Sequence, residues 1–544
     1  MTDDLRRIAK EHFGWDRLRD EQVRAMQALM AGRDALAVLP TGAGKSAIYQ
    51  VPAPLLPGPT IVISPLLALQ QDQIASLTAR NHASLQAVRL SSAEGKAERE
   101  EALEALRAGD AEFVFLTPEQ FADPARVAQI KALKPSLVAV DEAHCVSAWG
   151  HDFRPDYLQL GQFIRELGRP PIVALTATAS PPVREDIIDR LGMRDPEIVV
   201  TGLDRPNLFL ESVHCPDEQT RFRRLLARLR ESTPPGIIYA PTRRATEELA
   251  ERLVEEGMPA VAYHGGMSAG DRERAHEAFL ADEVEIMVAT TAFGMGIDKP
   301  NIRWVNHISL PDSPDSYLQE IGRAGRDGQP AQVLLLHRTE DTGLRKFFTG
   351  LSIDREEVSA LAALLRSVAP DPITRDELEE RTGLGARKLG QLLSLLEEVG
   401  AAQLLHGSKV KAPRWAPTPA KAAELAEAQA ERQQTLSRSR LDMMRNFAET
   451  ELCRGQTLLA YFGEHLDGTC GHCDNCLDGS AQAGLDATGD DVPFPIHSEV
   501  RHGEWGKGIV LSYAGEQMTV LFDEVGYKTL SVPVVEEHRL LRPV

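Results

Sequence analysis

The stretch Leu39-Pro40-Thr41-Gly42-Ala43-Gly44-Lys45-Ser46 decides the fold of the first part of this 544-residue chain. It follows an apolar run at residues 35–39, which predicts a short buried strand, and the residues after it begin a helix. A strand, a glycine-rich turn and a helix form the context that a phosphate-binding loop needs. The glycines let backbone N–H groups approach phosphate oxygens, and the helix N-terminus favours an anion.

The loop supplies side chains as well as backbone donors. Lys45 is predicted to reach the β- and γ-phosphates of ATP, and the Ser46 hydroxyl to ligate Mg²⁺. The rest of the predicted nucleotide-binding set within the loop is Thr41, Gly42 and Gly44. Leu39 occupies the first glycine position of the strict G-x-x-x-x-G-K-[ST] pattern, so an ordinary strand-to-helix turn is the alternative.

A second polar motif, Asp141-Glu142-Ala143-His144, follows the apolar run at residues 137–140. A carboxylate at the carboxyl end of a buried parallel strand lies where open α/β sheets bind ligands. Asp141 is therefore predicted to hold Mg²⁺, and Glu142 to polarise the attacking water.

Residues 33–200 alternate strand and helix patterns, which predicts one parallel nucleotide-binding sheet. A second alternating series begins near residue 236 and has no phosphate loop of its own. It ends at residues 319–328 with Arg323 and Arg326, which are predicted to lie on one helix face and to reach the γ-phosphate. A surface helix with ion pairs is the alternative.

The N-terminal segment carries side chains suited to adenine. The Gln22 amide can pair with the N6 donor and N7 acceptor, and the Trp15 ring can stack on the base. Packing of Trp15 in the core is the alternative.

These motifs, with Thr176-Ala177-Thr178, resemble in their order the core of a superfamily 2 helicase. Finer marks resemble the RecQ family of DNA helicases; they are Phe13-Gly14-Trp15 with Arg19 and Gln22, residues 147–155 and residues 292–299. The resemblance implies an α/β fold of two tandem RecA-like lobes, ATP in their cleft and 3′-to-5′ travel on single-stranded DNA. It also implies nucleotide contacts by Trp15, Arg19, Gln22 and Asp298.

The loop at residues 147–155 offers stacking surfaces and a cation within six residues; these are Trp149, His151, Phe153 and Arg154. Bases stack on aromatic rings independently of sequence, so these four residues are predicted to bind DNA. The resemblance implies that the loop couples DNA contact to hydrolysis. Packing of Trp149 and Phe153 between the lobes is the alternative.

Residues 351–415 resemble a winged helix, with three helices and a strand pair that carries Lys409, Lys411 and Arg414. Such a domain can place basic groups on duplex DNA, and a purely structural role is equally open. In the RecQ family this domain usually follows the zinc module, whereas here it precedes the cysteine cluster.

Four of the six cysteines belong to one C-terminal cluster: Cys453, Cys470, Cys473 and Cys476. Overlapping C-x-x-C steps with a distant fourth cysteine suit tetrahedral Zn²⁺, and an iron–sulfur cluster is the metal alternative. The resemblance to the RecQ zinc module favours zinc, with His472 outside the ligand set. One polar helix at residues 416–435 and a second at 436–452 are expected to form a hairpin before the cluster.

The C-terminal residues are predicted to form a linker at 481–495 and a small SH3-like β-barrel at 496–544. Because the linker is rich in Gly, Ala and Asp, the barrel is expected to move independently of the motor and to bind a protein partner. Removal of the barrel is therefore expected to leave ATPase activity and unwinding within a few-fold.

Composition limits the cellular setting. A formal charge of −20 argues against coating of nucleic acid, although it allows a local basic groove. No apolar run approaches the roughly 18 residues of a membrane span, and no signal core follows the N-terminus, so a cytoplasmic, nucleoid-associated protein is expected.

The expected function is an ATP-dependent 3′-to-5′ DNA helicase that unwinds tailed duplexes, in repair or recombination. The expected domains are lobes at 1–205 and 206–350, the winged helix, and the zinc module at 416–480. A DNA-dependent translocase that does not unwind, or a superfamily 2 RNA helicase, are the alternatives.

Overall fold

The computed structural model describes most of the chain. The described residues are 2–40, 42–65, 67–78, 86–90, 94–122, 124–147, 157, 160–200, 202–293, 299–341, 343, 353–405, 409–464, 466, 468–481, 492–496, 498–514 and 516–544. No helix among them is long and apolar enough to cross a membrane.

Lobe 1 is a seven-stranded parallel sheet with strand order β3-β4-β2-β5-β6-β1-β7. Its strands are β1 (Ala35–Val38), β2 (Thr60–Ile63), β3 (Ala87–Leu90), β4 (Phe113–Leu116), β5 (Leu137–Val140), β6 (Ile172–Thr176) and β7 (Glu197–Val200). Its helices are α1 (Thr2–Phe13), α2 (Asp20–Met30), α3 (Ala47–Gln50), α4 (Leu67–Thr78), α5 (Lys96–Ala108), α6 (Pro124–Ala132), α7 (Leu160–Glu166) and α8 (Pro181–Leu191). The central strands are continuous apolar runs because helices cover both faces of the sheet.

Lobe 2 is a six-stranded parallel sheet with strand order β10-β11-β9-β12-β13-β8. Its strands are β8 (Leu208–His214), β9 (Gly236–Tyr239), β10 (Ala260–Tyr263), β11 (Ile286–Ala289), β12 (Trp304–His307) and β13 (Ala331–His337). Its helices are α9 (Glu218–Glu231), α10 (Arg243–Glu255), α11 (Ala269–Leu280) and α12 (Pro314–Ile321). The two parallel sheets confirm the predicted pair of RecA-like lobes.

The winged helix also has the predicted form. It consists of α13 (Arg355–Val368), α14 (Arg375–Thr382) and α15 (Ala386–Glu398), with a small sheet of β14 (Ile373–Thr374), β15 (Gln403–Leu405) and β16 (Lys409–Lys411). The wing strands β15 and β16 are antiparallel, and β16 also pairs with β14.

The prediction of two helices between residues 416 and 452 was wrong. A single helix, α16 (Pro419–Glu449), continues for 31 residues. No Gly or Pro interrupts it after Pro419, and both halves bury an apolar stripe, so tertiary packing extends the helix through the polar residues near 435. Ala422 and Ala426 pack in the winged-helix core, whereas Met444 and Phe447 pack in the core of lobe 2.

The zinc module adds α17 (Arg454–Tyr461) and α18 (Asp474–Asp478). The predicted barrel is a five-stranded antiparallel sheet, β20-β19-β18-β17-β21, which we call the C-terminal sheet. Its strands are β17 (Glu499–His502), β18 (Gly506–Ala514), β19 (Gln517–Phe522), β20 (Gly526–Ser531) and β21 (Leu541–Pro543), and α19 (Val532–His538) connects the last two.

The expectation that the C-terminal sheet moves independently was also wrong. Val510, Val520 and Phe522 form its own core, but Leu511 and Leu521 point to the other face and join the core of lobe 2. Consecutive apolar residues in a strand indicate that both faces are covered. The sheet is therefore docked on α16 and α17. The expected linker lies largely outside the described residues.

Candidate active site between the lobes

The phosphate loop joins β1 to α3, as predicted. Gly42 and Gly44 have φ values of +82° and +73°, a left-handed conformation that glycine adopts without strain. The Lys45 ammonium donates to the carbonyl oxygens of Leu39 at 3.1 Å and Pro40 at 3.5 Å. The loop thus holds Lys45 beside its own backbone. Thr41 lies outside the described residues.

Asp141 stands at the carboxyl end of β5, facing the loop. Its carboxylate accepts hydrogen bonds from Gln73 Nε2 at 3.1 Å and from the Glu142 backbone N–H at 3.0 Å. Burial raises the pKa of the Asp141 carboxyl, and the Lys45 charge opposes this. Burial lowers the pKa of Lys45, while Glu142 and Asp141 oppose that shift. The two lobe 1 motifs therefore form one group of interacting charges.

Glu142 has a left-handed backbone, with φ of +48°, which is uncommon outside glycine. His144 Nδ1 lies 3.4 Å from Glu142 Oε2 and 2.9 Å from Thr176 Oγ1. The Thr176 hydroxyl donates to the Thr178 carbonyl at 3.0 Å, so His144 Nδ1 is the donor to Thr176. The acidic motif is thereby bonded to the segment at the end of β6.

The two arginines do not share a helix face, contrary to the prediction. Helix α12 ends at Ile321, and both arginines lie in the turns after it. Arg326 crosses the phosphate loop, because its Cγ would lie 3.8 Å from a Cβ placed on Gly42. Arg323 is 3% exposed and lies near Tyr239, whose pKa burial raises to about 12 while the Arg323 charge opposes the shift. Only Arg326 is brought to the loop.

The residues predicted to contact adenine lie beside the phosphate loop. Gln22 Nε2 donates to the carbonyl oxygens of Ala43 at 3.1 Å and Gly44 at 2.9 Å, and its Oε1 accepts from the Arg19 N–H. The Trp15 ring is half-buried and stacks on Phe13, with centroids 4.7 Å apart. Gln22 is thus bonded to the phosphate loop. Asp298 lies outside the described residues.

A cleft of about 360 Å³ separates the lobes at this point. Its lining includes Arg19, Gln22, Pro40, Gly42, Asp204, Arg205, Asn207, Gly325 and Arg326. Sequence analysis missed Arg205 and Asn207. Arg205 donates to the carbonyls of Ala324 and Gly325, and Asn207 Nδ2 donates to Gly325 at 2.9 Å. Their only sequence signal is a charged and an amide side chain in the short segment that joins the two α/β series.

The predicted DNA-contacting residues Trp149, His151, Phe153 and Arg154 lie outside the described residues. The described residue that precedes them, Ser147, donates from its hydroxyl to Asp186 Oδ2 at 2.7 Å. The start of the loop is therefore attached to α8.

The four cluster cysteines come together as predicted, with all four sulfur atoms within 4.8 Å of one another. Cys473 Sγ and Cys470 Sγ lie 3.4 and 3.8 Å from Cys476 Sγ. A tetrahedral ion with Zn–S bonds of about 2.3 Å needs sulfurs about 3.8 Å apart, so the four thiols fit Zn²⁺. A Cβ on Gly455 would lie 2.6 Å from Cys470 Cβ, so this approach requires glycine.

The cluster is attached to the edge strand of lobe 2. Cys473 forms a parallel bridge with Leu210 of β8, and the Leu210 N–H donates to the His472 carbonyl at 3.0 Å. His472 Nδ1 lies 2.8 Å from the Leu208 carbonyl, and its Nε2 lies 3.3 Å from Asp204. Both ring nitrogens of His472 thus face the segment that joins the lobes.

Comparison with known proteins agrees with this arrangement. Residues 19–187 match the DEAD/DEAH box helicase family, residues 219–328 the helicase conserved C-terminal domain, and residues 420–477 the RecQ zinc-binding family. The probable ATP-dependent DNA helicase RecS of Bacillus subtilis is 32% identical over 87% of this chain and 92% of that protein. The ATP-dependent DNA helicase RecQ of Synechocystis is 36% identical over 88% of this chain and 98% of that protein.

Other relatives are longer. The ATP-dependent DNA helicase RecQ of Haemophilus influenzae is 35% identical over 87% of this chain, which spans 63% of that protein. Among solved structures, the Mycobacterium smegmatis helicase Lhr bound to ssDNA and AMP-PNP has a TM-score of 0.51 at 21% identity. That match covers 78% of this chain and 61% of the other, and it shows the shared fold.

Proposed function

This chain belongs to the RecQ family of ATP-dependent DNA helicases, and from that premise we propose how its two lobes hydrolyse ATP and travel on DNA. It is an enzyme of that type, with ATP and Mg²⁺ at the DEAD/DEAH-type lobe and Zn²⁺ at the four cysteines. One observation carries the proposal: Lys45, Asp141 and Glu142 of lobe 1 meet Arg326 of lobe 2 across one cleft.

We assign each of these groups one task. Lys45 exchanges the carbonyls of Leu39 and Pro40 for phosphate oxygens when nucleotide enters. Ser46 and Asp141 would hold Mg²⁺, which neutralises charge on the phosphates. Glu142 orients the attacking water and takes its proton. Arg326 places its charge on the γ-phosphate, where negative charge develops during hydrolysis.

The assignment of Arg323 is narrower than predicted. Its guanidinium is buried beside Tyr239 inside lobe 2, so we propose that it holds the turn that carries Arg326. Loss of Arg323 would then impair hydrolysis indirectly, through the position of its neighbour.

The base is held on the other side of the loop. We propose that Trp15, Arg19 and Gln22 contact adenine, and that Asp298 contacts the nucleotide from lobe 2. Gln22 already bonds Ala43 and Gly44, so a change in its partners on base binding is transmitted directly to the phosphate loop. Nucleotide binding and loop geometry are thereby coupled.

For the nucleic acid, we propose that Trp149, His151, Phe153 and Arg154 stack on bases and contact the backbone of single-stranded DNA. The substrates are single-stranded and tailed duplex DNA, travel is 3′ to 5′, and the setting is the bacterial nucleoid during repair or recombination. A protein partner for the C-terminal sheet stays a prediction, and the face that packs on α16 and α17 is unavailable to it.

A strand-displacement assay tests this function. Duplexes of DNA and of RNA with 3′ or 5′ tails are incubated with ATP and protein, and only the 3′-tailed DNA should be unwound. Unwinding of RNA would favour the general superfamily 2 alternative, and ATP hydrolysis without displacement would favour the translocase.

Lys45→Ala tests the site itself. It should lower ATP turnover by about 100-fold or more, since it removes a charge that stabilises the transition state. Lys131→Ala, at an exposed position of α6 in the same lobe, is the matched control and should leave turnover unchanged. Near-normal turnover in Lys45→Ala would remove the central assignment.

A further inference from the structure

We propose that Tyr461 and Tyr527 are positioning residues for ATP hydrolysis, because they join lobe 1 to the helix that precedes Arg326. The two tyrosines belong to the zinc module and the C-terminal sheet, remote in sequence from every residue of the site. The proposal rests on the role given above to Arg326.

A chain of four buried side chains makes the connection. Ser180 Oγ of lobe 1 lies 2.9 Å from the Tyr527 hydroxyl oxygen. The Tyr527 ring stacks on Tyr461, with centroids 4.9 Å apart and planes inclined by 27°. The Tyr461 hydroxyl donates to Asp315 Oδ2 of lobe 2 at 2.5 Å. All four residues are less than 4% exposed, so water does not compete for these bonds.

The lobe 1 end of this four-residue connection is Ser180, which lies on the segment behind the acidic motif. Ser180 directly precedes α8, but its side chain makes no helix-capping bond, so its hydroxyl is committed to Tyr527. Four residues earlier, Thr176 bonds His144 of the acidic motif. Ser180 therefore lies on the same short segment as the residue that bonds the acidic motif.

The lobe 2 end of this four-residue connection is Asp315, at the start of α12. Asp315 is in the first turn of this helix, and the helix ends at Ile321, immediately before the turns that hold Arg326. Because an α-helix is stiff over two turns, fixing its first turn fixes the position from which Arg326 projects. The two tyrosines thus link the two halves of the site.

The two tyrosine hydroxyls are chemically suited to a stable contact between the lobes. Burial raises the pKa of both phenols, that of Tyr527 to about 12, so both hydroxyls stay protonated at neutral pH. A neutral phenol donating to a carboxylate makes a charge-assisted bond, which is stronger than a neutral one. Phenylalanine would fill the same space and keep the ring contact, so the hydroxyls are not needed for packing.

The link favours the arrangement that hydrolysis needs. Tyr527 contacts Ser180 in the same structure in which Arg326 lies against Gly42 of the phosphate loop. Loss of the contact between Tyr527 and Ser180 should therefore leave nucleotide binding largely intact. It should increase the distance between Arg326 and the phosphates.

Full-length Tyr527→Phe tests the proposal by steady-state ATPase kinetics with saturating single-stranded DNA. The kcat should fall about 3- to 10-fold, the range expected for one lost hydrogen bond, while KM for ATP changes less than about 2-fold. Ser180→Ala should give the same loss. The double variant should be no worse than either single variant, because both remove one contact.

Tyr513→Phe is the matched control. Its hydroxyl donates to the Phe494 carbonyl at 2.7 Å, and both residues belong to the core cluster of the C-terminal sheet itself. It should keep the wild-type kcat, with thermal unfolding midpoints measured for both variants. An unchanged kcat in Tyr527→Phe, an equal fall in Tyr513→Phe, or additive losses in the double variant would overturn the proposal.

Arg326→Ala separates this inference from the function it rests on. If Arg326→Ala keeps full turnover, the assigned role of Arg326 fails, and the link as stated fails with it. If Arg326→Ala abolishes turnover while Tyr527→Phe does not lower it, the proposed function stands and only the positioning role is rejected.

Discussion

The zinc module and the C-terminal sheet face the two lobes in different ways. Toward lobe 2 they share one continuous apolar core, in which Tyr317 and Leu335 of the lobe meet Phe447, Leu459 and Leu521. Toward lobe 1 the described contacts include two polar ones, Ser180 with Tyr527 and the Arg184 guanidinium with the Phe462 carbonyl, beside an apolar cavity lined by Pro40, Ala177 and Leu458.

This difference indicates which parts of the motor move together. Apolar burial stabilises an interface in proportion to its area, whereas a single polar contact contributes about 0.5–1.5 kcal/mol. We therefore expect lobe 2, the zinc module and the C-terminal sheet to move as one unit relative to lobe 1. A helicase needs such a boundary, because its lobes must separate and close in each cycle.

Loss of the metal should cause the largest loss of stability in the unit formed by lobe 2, the zinc module and the C-terminal sheet. Cys473→Ser should yield insoluble protein or protein without a cooperative unfolding transition, because thiolate ligation is coupled to folding and Cys473 also pairs with β8. Metal analysis of wild-type protein should give one zinc per chain. Cys215→Ala, a buried cysteine of lobe 2 outside the cluster, is the control and should remain folded. Iron in a brown protein would contradict the zinc assignment.

Leu521→Ala should have the next largest effect. The side chain is 6% exposed and faces the lobe 2 core, so its truncation should cost about 2–4 kcal/mol of unfolding free energy. Denaturant unfolding measures this loss, and Val534→Ala, 43% exposed in the same domain, should cost less than about 0.5 kcal/mol. Equal stability of the two variants would mean that the sheet is not docked. For the same reason, deletion after residue 490 should expose apolar surface and cause aggregation.

Arg184→Ala should weaken the polar contact between lobe 1 and the zinc module. It removes the guanidinium bonds to the Phe462 and Ala179 carbonyls and should cost about 1–3 kcal/mol, since hydrogen bonds of a charged group are lost. Its main effect should be a larger distance between fluorophores on lobe 1 and lobe 2 without nucleotide. Arg107→Ala, exposed on α5, serves as the control and should leave that distance unchanged. A distance that does not change in Arg184→Ala would show that this contact does not restrain lobe 1.

Glu464→Gln should have the smallest effect, and it depends on pH. Burial raises the pKa of Glu464 above its ordinary value of 4.5, with Arg184 opposing, so its ionised form destabilises the folded chain. This cost is full above the raised pKa and disappears as pH falls below 4.5. Glu464→Gln should thus be more stable than wild type at pH 8, by less than about 1 kcal/mol, and the difference should shrink toward pH 5.

Glu277→Gln, at an exposed position of α11, is the control and should show no such trend in thermal unfolding. A destabilised Glu464→Gln at pH 8 would instead mean that the attraction to Arg184 outweighs burial.

Local sequence patterns were sufficient for the parts of the molecule that depend on neighbouring residues. The phosphate loop, the carboxylate after β5 and the four cysteines each follow from spacing and residue type. The phosphate loop, for example, needs glycines at the two positions where φ is positive, and both are visible in the sequence.

Features that depend on distant partners were missed. Nothing near Leu511 or Leu521 in the sequence identifies α16 and α17 as the surface they cover. Arg323 and Arg326 look equivalent in sequence, yet the turns at Gly322 and Gly325 send one into lobe 2 and the other across the phosphate loop. The continuity of α16 through residue 435 likewise comes from packing at its two ends rather than from local propensity.

The unbroken helix α16 connects the winged helix to the motor as one rigid element. At 1.5 Å per residue, the 31 residues of α16 span about 46 Å. Its C-terminal half is fixed in the motor, and its N-terminal half carries the winged helix through Ala422 and Ala426. From Met444 to Ala422 the helix spans about 33 Å, so a tilt of about 5° at the motor end moves the winged helix by about 3 Å. A rotation of lobe 2 would thus be carried to the winged helix, which faces Phe121 and Phe163 of lobe 1 across a shared cavity.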